Sequence, residues 1–254
     1  MSAAELSRRR RTRWPWVLGI VLVVLAALVV AGELVARAVV AQQVRAQVIS
    51  ALKLPSDQQL DVAVDGIVLP QLVAGRLDAL HLSSRKVEIG PVVGAVSVDA
   101  TGVPIRGGRL GEASGTVRID AAQLQGLLKI TSLPVEKVSL GEGTVKAEGS
   151  ATVLGNAVPL AVTLAPGAED GRLVLTPRSV SIGTVTLDPS DDSSPFAAAL
   201  RPLFSPQRVC IADRLPAGVH LQRLTVEGEV LAADFSADSA ITEDARLREP
   251  GSCS

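Results

Sequence analysis

The hydrophobic pattern is most pronounced near the N-terminus, where residues 14–32 carry no charged side chain. A helix of that length would span about 28 Å, close to the thickness of the hydrocarbon core of a bilayer. Arginines occupy positions 8 to 11 and position 13 just before it, and such basic segments stay on the cytoplasmic side. The pattern predicts a cytoplasmic segment over 1–13, a single-pass signal anchor in the cell membrane over 14–32 and an extracytoplasmic domain over 33–254.

A cleaved secretory signal is the alternative, since it also joins a basic segment to an apolar core. Small residues suited to cleavage stand at Val30-Ala31-Gly32 and at Ala36-Arg37-Ala38. Cleavage would make the mature protein secreted or periplasmic, whereas a retained segment would tether it. Both interpretations export the domain.

Helical patterns are few beyond this stretch. Residues 33–53 contain no Gly or Pro, are rich in Ala and end before Leu54-Pro55, which predicts a helix that either continues the membrane helix or follows a break near Gly32. Three short helices are predicted at 70–74, at 120–129 with Asp120 as N-cap, and at 195–203.

Most of the remaining chain alternates apolar and polar residues, the pattern of half-buried strands, with glycines at the ends of several runs. These runs cover 60–64, 94–103, 112–119, 143–153, 157–165, 171–176, 180–187, 219–227 and 229–236. The predicted fold class is α+β, with a long, highly curved antiparallel sheet wrapped around a helix and short additional helices.

Composition narrows the possible functions. Aromatic residues make up only 2% of the chain, so the core must be aliphatic, and a stacking platform for sugars or bases is not expected. Five of the 25 Lys and Arg and one of the 26 Asp and Glu precede the apolar stretch, which leaves the exported part with a net charge of −5. This charge argues against nucleic acid as a partner.

Catalytic motifs are missing from the sequence: it contains no nucleophile elbow, no Walker loop and no metalloprotease signature. We therefore expect no enzyme activity, no cofactor and no metal. His81 and His220 alternate with apolar neighbours, which predicts exposed histidines on the polar faces of strands. Gly141-Glu142-Gly143 predicts a hairpin turn and not a nucleotide-binding loop.

Cys210 and Cys253 are the only cysteines. In an oxidising compartment they are candidates for a disulfide. Two unpaired thiols are the alternative, and a metal site would need further ligands.

The segment from Asp65 to Asp78 resembles an element of the LmeA-like family of actinobacterial envelope proteins. There a strand ends in Gly and is followed by an apolar segment, Gln, two apolar residues and Gly-Arg. The matching residues here are Gly66, Gln71, Leu72, Val73, Gly75 and Arg76. Gly115-Thr116-Val117, Leu215-Pro216-Ala217-Gly218 and the cysteine pair are also similar to family features. A Phe usual in the apolar segment is absent, and that segment is one residue shorter.

This resemblance implies a phospholipid-binding protein of the tubular lipid-binding type, in which a curved sheet wraps a long helix and leaves an apolar groove for acyl chains. Lipid transfer or maturation of a cell-envelope lipoglycan are the wider roles that it would allow. The expected partners are phospholipid and the membrane. The alternative function is a non-enzymatic envelope scaffold that binds another protein and carries no lipid.

The groove hypothesis names specific residues, although each could equally be ordinary core. At the mouth we expect Leu69, Leu72, Val73 and Leu77, and deeper in the groove Leu124, Leu127 and Leu128. Arg76 or Arg85 would contact a phosphate.

Overall fold

A computed structural model describes residues 14–51, 54–89, 92–130, 135–153, 156–169, 171–188 and 205–253. The helices are α1 (Trp14–Ala51), α2 (Val68–Ala74) and α3 (Ala121–Ile130). The strands are β1 (Asp61–Val64), β2 (Arg76–Ile89), β3 (Val92–Pro104), β4 (Ala113–Asp120), β5 (Val135–Gly141), β6 (Thr144–Val153), β7 (Asn156–Glu169), β8 (Arg172–Ile182), β9 (Val185–Leu187), β10 (Gln207–Val209), β11 (Val219–Glu227) and β12 (Val230–Ala237). Short 3₁₀ turns occupy Ala212–Arg214, Ser239–Thr242 and Ala245–Arg248.

Helix α1 is continuous through Gly32, so the membrane-type stretch and the following helix form one element. Among the described helices it alone is long and apolar enough to cross a membrane. Its side chains are exposed around the apolar stretch, whereas Ala36, Val40 and Val44 in its second half pack against the domain. The same helix therefore has one half without protein contacts and one half that belongs to the core.

Two antiparallel sheets, both open, make up the rest of the fold. The first has the order β1-β2-β3-β4-β12-β11, and the second has the order β10-β8-β7-β6-β5 with β9 paired to β8. Strand β11, at the edge of the first sheet, lies beside β7, β5 and β8 of the second. The junction between the sheets is therefore made by β11.

The core has two centres. In the first, Val64, Val68, Leu77 and Leu80 are buried under α1. In the second, Val138, Leu140, Val145 and Val226 are buried with α3. Val and Leu fill both centres, as the aliphatic composition predicts.

The α+β class is confirmed, with the strands divided between two sheets. The cap of α3 is confirmed too, because the Gln123 backbone N–H donates to Asp120 Oδ1 over 2.8 Å and the Gln123 side chain accepts from the Asp120 backbone N–H. The hairpin turn between β5 and β6 has φ values of 51° at Glu142 and 74° at Gly143, as a two-residue turn of the primed type requires. Strand β10 was not predicted.

The predicted disulfide is confirmed: Cys210 and Cys253 are bonded, with their Cα atoms 5.9 Å apart. The helix predicted at 195–203 lies outside the described residues.

Candidate functional site

One face of the second sheet is aliphatic from β5 to β8. The register pairs Ala147 with Val162 and Val162 with Val180, so these side chains share a face. The same face continues through neighbouring strands to Leu160, Leu164, Leu173 and Leu175. These residues are only half-buried, in contrast to Val138, Leu140 and Val145 at the β5–β6 end.

The first sheet has a matching face. Val98 pairs with Gly115 and Val96 with Val117, and the register across β4 and β12 adds Ala233 and Phe235. All of these side chains are half-buried. The opposite face carries polar residues such as Asp99, Ser114 and Thr116.

The two aliphatic faces meet at α3. Val145 of the second sheet and Val226 of the first belong to one cluster, against which Leu124 and Leu231 pack. Together the half-buried members form a surface without charged side chains, here named the aliphatic surface: Val96, Val98, Val117, Ile119, Ala233 and Phe235 in the first sheet, and Leu160, Val162, Leu164, Leu173, Leu175 and Val180 in the second. An apolar surface of this extent, left partly uncovered by its own chain, is typical of a binding site.

Helix α2 is held by α1 at the end of the domain that lies next to the apolar stretch. The backbone N–H groups of Val68 and Leu69 donate to the two carboxylate oxygens of Glu33 over 2.7 and 3.0 Å. Arg37 donates to the carbonyl of Gly66 over 2.7 Å. Since Ile67 at the N-cap provides no side-chain acceptor, Glu33 satisfies the first N–H groups of α2 from a distant part of the chain.

The glutamine of the family motif has a structural role. Gln71 is buried, and its Nε2 donates to the carbonyl of Asp65 over 2.7 Å while its Oε1 accepts from the backbone N–H of Asp78 over 3.0 Å. A Cβ at Gly66 would lie 2.7 Å from Gln71 Nε2, and Gly66 has a φ of 74°. Only glycine fits there without strain.

The structure distributes the predicted mouth residues over three environments. Leu77 is buried in the first core and Leu72 packs against it. Leu69 is half-buried and approaches Gly32, whereas Val73 is 81% exposed. The predicted mouth is therefore not a single cluster.

The deeper set lies elsewhere. Leu124 packs into the second core, and Leu127 and Leu128 belong to α3, but their side chains lie outside the description. That the residues expected at the mouth and those expected deeper in the groove line a lipid groove stays a prediction.

Arg76 begins β2, and Arg85 lies nine residues farther along the same strand. At about 3.3 Å per residue they are about 30 Å apart along the strand, too far for one headgroup to touch both. Arg85 lines a polar cavity of about 500 Å³ with Pro55, Asp57 and Glu88 among others. Arg76 lies at the α2 end, with its guanidinium against Gly102.

His81 is exposed on the polar face of β2, as predicted, and links β2 to β3 and to the turn after β1. Its Nε2 lies 3.0 Å from Asp65 Oδ2, and its Nδ1 contacts Asp99 Oδ1. The hydrogen bond to Asp99, followed by that to Asp65, raises the pKa of His81 above its ordinary value. In the described part of the chain no cluster of His, Cys, Asp and Glu could hold a metal ion. With the imidazole protonated, the contacts of His81 with Asp65 and Asp99 are ion pairs at the surface.

Sequence reasoning missed Glu33 and the aliphatic surface. Isoleucine at the N-cap, which has no side-chain acceptor, was a signal that the first N–H groups of α2 need an acceptor from elsewhere in the chain. Alternation in β7 and β8 identified the apolar faces, but it could not show that these faces are left partly uncovered.

Fold and surface together define an α+β protein in which two open sheets share an aliphatic surface beside a membrane-type helix. The family model described as LmeA-like phospholipid-binding matches residues 31–234. Since this match covers most of the chain, the protein belongs to that family. No curated protein and no solved structure gives a significant match.

Proposed function

We propose that this protein is a membrane-anchored extracytoplasmic protein that binds phospholipid, with the acyl chains lying along the aliphatic surface. The observation that supports this most is the half-buried state of matching apolar faces in both sheets. A binding role, without catalysis, fits a surface that has no charged side chains.

The physical chemistry of the surface suits acyl chains. Each methylene removed from water stabilises the complex by about 0.8 kcal/mol. Valine and leucine make no directional polar demands, so chains of different length and unsaturation can be accepted. The backbone N–H and C=O groups beneath these side chains are already hydrogen-bonded between strands, so they need no polar partner from the lipid.

Contacts of α1 favour a retained anchor over cleavage at the second candidate site. Cleavage after Ala38 would remove Glu33, which caps α2, together with Ala36 and Arg37, which contact the core and Gly66. Cleavage after Gly32 would spare these contacts, and the disulfide fits an exported domain in either case.

The test is lipid retention by the full-length protein purified from its native membrane in a mild detergent. Native mass spectrometry should detect bound phospholipid in the wild type. Val162→Gln, which places a polar side chain on the aliphatic surface, should lower the bound fraction severalfold.

Thr163→Gln is the matched control, because Thr163 is the next residue of β7, is also half-buried and lies on the opposite face. It should retain lipid like the wild type. Absence of lipid from the wild type, together with no uptake of labelled phospholipid, would instead favour the scaffold function. Transfer requires the further result that the protein moves labelled phospholipid between two vesicle populations.

A further inference from the structure

We infer that the exposed apolar face of α2 rests in the headgroup region of the same membrane that holds α1, so that the domain lies against the membrane surface. This contact rests on the retained anchor of the proposed function but not on the aliphatic surface. It assigns α2 a role outside the lipid groove.

Helix α2 begins at the level where the apolar stretch ends. Gly32 is the last residue of that stretch, and Glu33, the next residue, accepts the hydrogen bonds from Val68 and Leu69. A Cβ at Gly32 would lie 3.6 Å from Leu69 Cδ1. With residues 14–32 in the hydrocarbon layer, the start of α2 is therefore at the boundary.

The opposite end of the domain lies farther out. Arg45 donates to the carbonyl of Gln58 over 2.7 Å, and Arg45 is about 18 Å beyond Glu33 along a straight helix. The part of the domain around Gln58 is therefore too far from the boundary to reach the membrane while α1 stands upright.

The outward face of α2 contains no polar side chain. It consists of Ile67, Pro70, Val73 and Ala74, all of them exposed, here named the α2 face. Ile67 is 62% exposed, and Val73, at 81%, is the most exposed of the large apolar side chains in the described part of the chain. The inward face, with Val68 and Gln71, is buried.

Neighbouring residues extend this surface. Leu34 and Val35, on the first turn of α1 beyond Gly32, are each 63% exposed. Ile105 is 44% exposed, and its backbone N–H donates to the carbonyl of Gly75 over 2.9 Å, which places the β3–β4 loop at the end of α2. Exposed apolar residues thus collect where the helix leaves the apolar stretch.

Cations border the same surface. Arg76 and Arg106 are exposed and, within the described residues, make no ion pair, and Arg109 donates only to Ser239 Oγ over 3.1 Å. Arg106 Cδ would lie 3.7 Å from a Cβ at Gly75. An apolar face bordered by arginines matches an interface of anionic phospholipids, in which the apolar side chains enter the acyl boundary and the guanidinium groups meet phosphates.

The test uses the full-length chain in vesicles made from equal amounts of phosphatidylcholine and phosphatidylglycerol. Both cysteines are in the disulfide, so an introduced cysteine can be labelled alone with an environment-sensitive fluorophore. Val73→Cys and Ala74→Cys probe the α2 face. Val185→Cys is the matched control, since Val185 is 57% exposed but lies on β9, and Val24→Cys reports on the apolar stretch.

Nitroxide lipids labelled near the glycerol should lower the emission at positions 73 and 74 about twofold, as expected for side chains about 5–10 Å into the interface. Position 185 should keep its emission. A shifted emission at position 73 without nitroxide quenching would mean that protein covers the α2 face and would overturn the contact. Equal nitroxide quenching at positions 73 and 185 would also overturn the contact.

These outcomes are separable from those of the proposed function. Position 24 lies about 12 Å from Gly32 along the helix, so it is read with a second set of nitroxide lipids labelled near the end of the acyl chain. Quenching there, without quenching at position 73 by the glycerol-level label, would overturn the α2 contact and leave the anchor in place. An unquenched label at position 24 would remove the anchor and the contact together. Lipid retention that depends on Val162 would survive either result.

Discussion

Gln71 and Ser84 are the two polar side chains that are buried in the described part of the chain. Both join segments of backbone: Gln71 links Asp65 to Asp78, and Ser84 donates to the carbonyl of Gln59 over 2.6 Å. The family glutamine therefore fixes the turn that presents α2, since its amide nitrogen and its amide oxygen each bond the backbone.

Gln71→Ala should lower the free energy of unfolding by about 1–2 kcal/mol, because a partly buried carbonyl and a partly buried N–H lose their partners. Chemical denaturation in detergent measures the change. Gln222→Ala is the control, since Gln222 is exposed and bonds only Ser236 Oγ, and its effect should be within about 0.5 kcal/mol. Equal effects of the two substitutions would contradict the role of Gln71.

His81 makes stability depend on pH. Because its folded pKa is raised by Asp99 and Asp65 above the ordinary 6.5, its contribution is fully present below that value and is lost as pH rises through the folded pKa. Thermal unfolding should therefore occur at lower temperature as pH increases above about 6.5. An NMR titration of the imidazole measures the pKa directly.

Asp99→Asn should move the His81 titration midpoint down towards its ordinary value, because the first cause of the shift is removed. Asp61→Asn, on the same sheet edge but without a bond to His81, should leave the midpoint in place. A His81 midpoint that is the same in wild type and Asp99→Asn would show that the ion pair does not form in solution.

At the scale of elements, the C-terminal segment is attached by both covalent and hydrogen bonds. The disulfide joins positions 43 residues apart. The backbone N–H groups of Ala217, Gly218 and Gly251 bond the carbonyls of Glu249, Leu247 and Leu215. This segment therefore packs on the strand that leads into β11, at the junction of the sheets.

Replacing both cysteines, as Cys210→Ser with Cys253→Ser, should destabilise the fold by up to about 4 kcal/mol in the chain-entropy model. Backbone hydrogen exchange should increase first between residues 245 and 253, because the hydrogen bonds alone then hold that segment. Ser252→Ala, an exposed neighbour, should change neither measurement. Unaltered hydrogen exchange of residues 245–253 in the double variant would show that the hydrogen bonds hold this segment without the disulfide.

The whole molecule combines two sheets whose apolar faces are continuous but only partly covered. Alpha1 covers the β1–β2 edge of the first sheet, and α3 covers the junction. The strands between and beyond them keep half-exposed aliphatic side chains. These strands thus leave apolar surface uncovered that a fully packed domain would bury in its own core, as the proposed binding requires.

This arrangement predicts a dependence of affinity on acyl-chain length. Lysophospholipids below their micelle concentration should bind up to about fourfold tighter for each added methylene, until the aliphatic surface is filled. Displacement of a fluorescent fatty acid from the full-length protein measures this. Val162→Gln should flatten the dependence, and affinities independent of chain length in the wild type would contradict binding along this surface.

Local sequence determined the elements themselves. The uncharged stretch before Gly32, the alternation in β3, β4, β7 and β12, the Asp120 cap and the Glu142-Gly143 turn each follow from interactions within a few residues. The family motif identified the glycines and Gln71, because a left-handed backbone or a close contact restricts those positions to one residue type.

Tertiary structure decided which surfaces remain available. Alternation shows that Val98 and Val162 point to an apolar face, but coverage of that face depends on helices far along the chain. Glu33 and Val68 are 35 residues apart in sequence, so only the folded chain shows that Glu33 caps α2. Arg76 and Arg85 share β2, and their wide separation follows from the extended strand between them. Local patterns thus define the faces of the elements, whereas exposure and position result from contacts between distant segments.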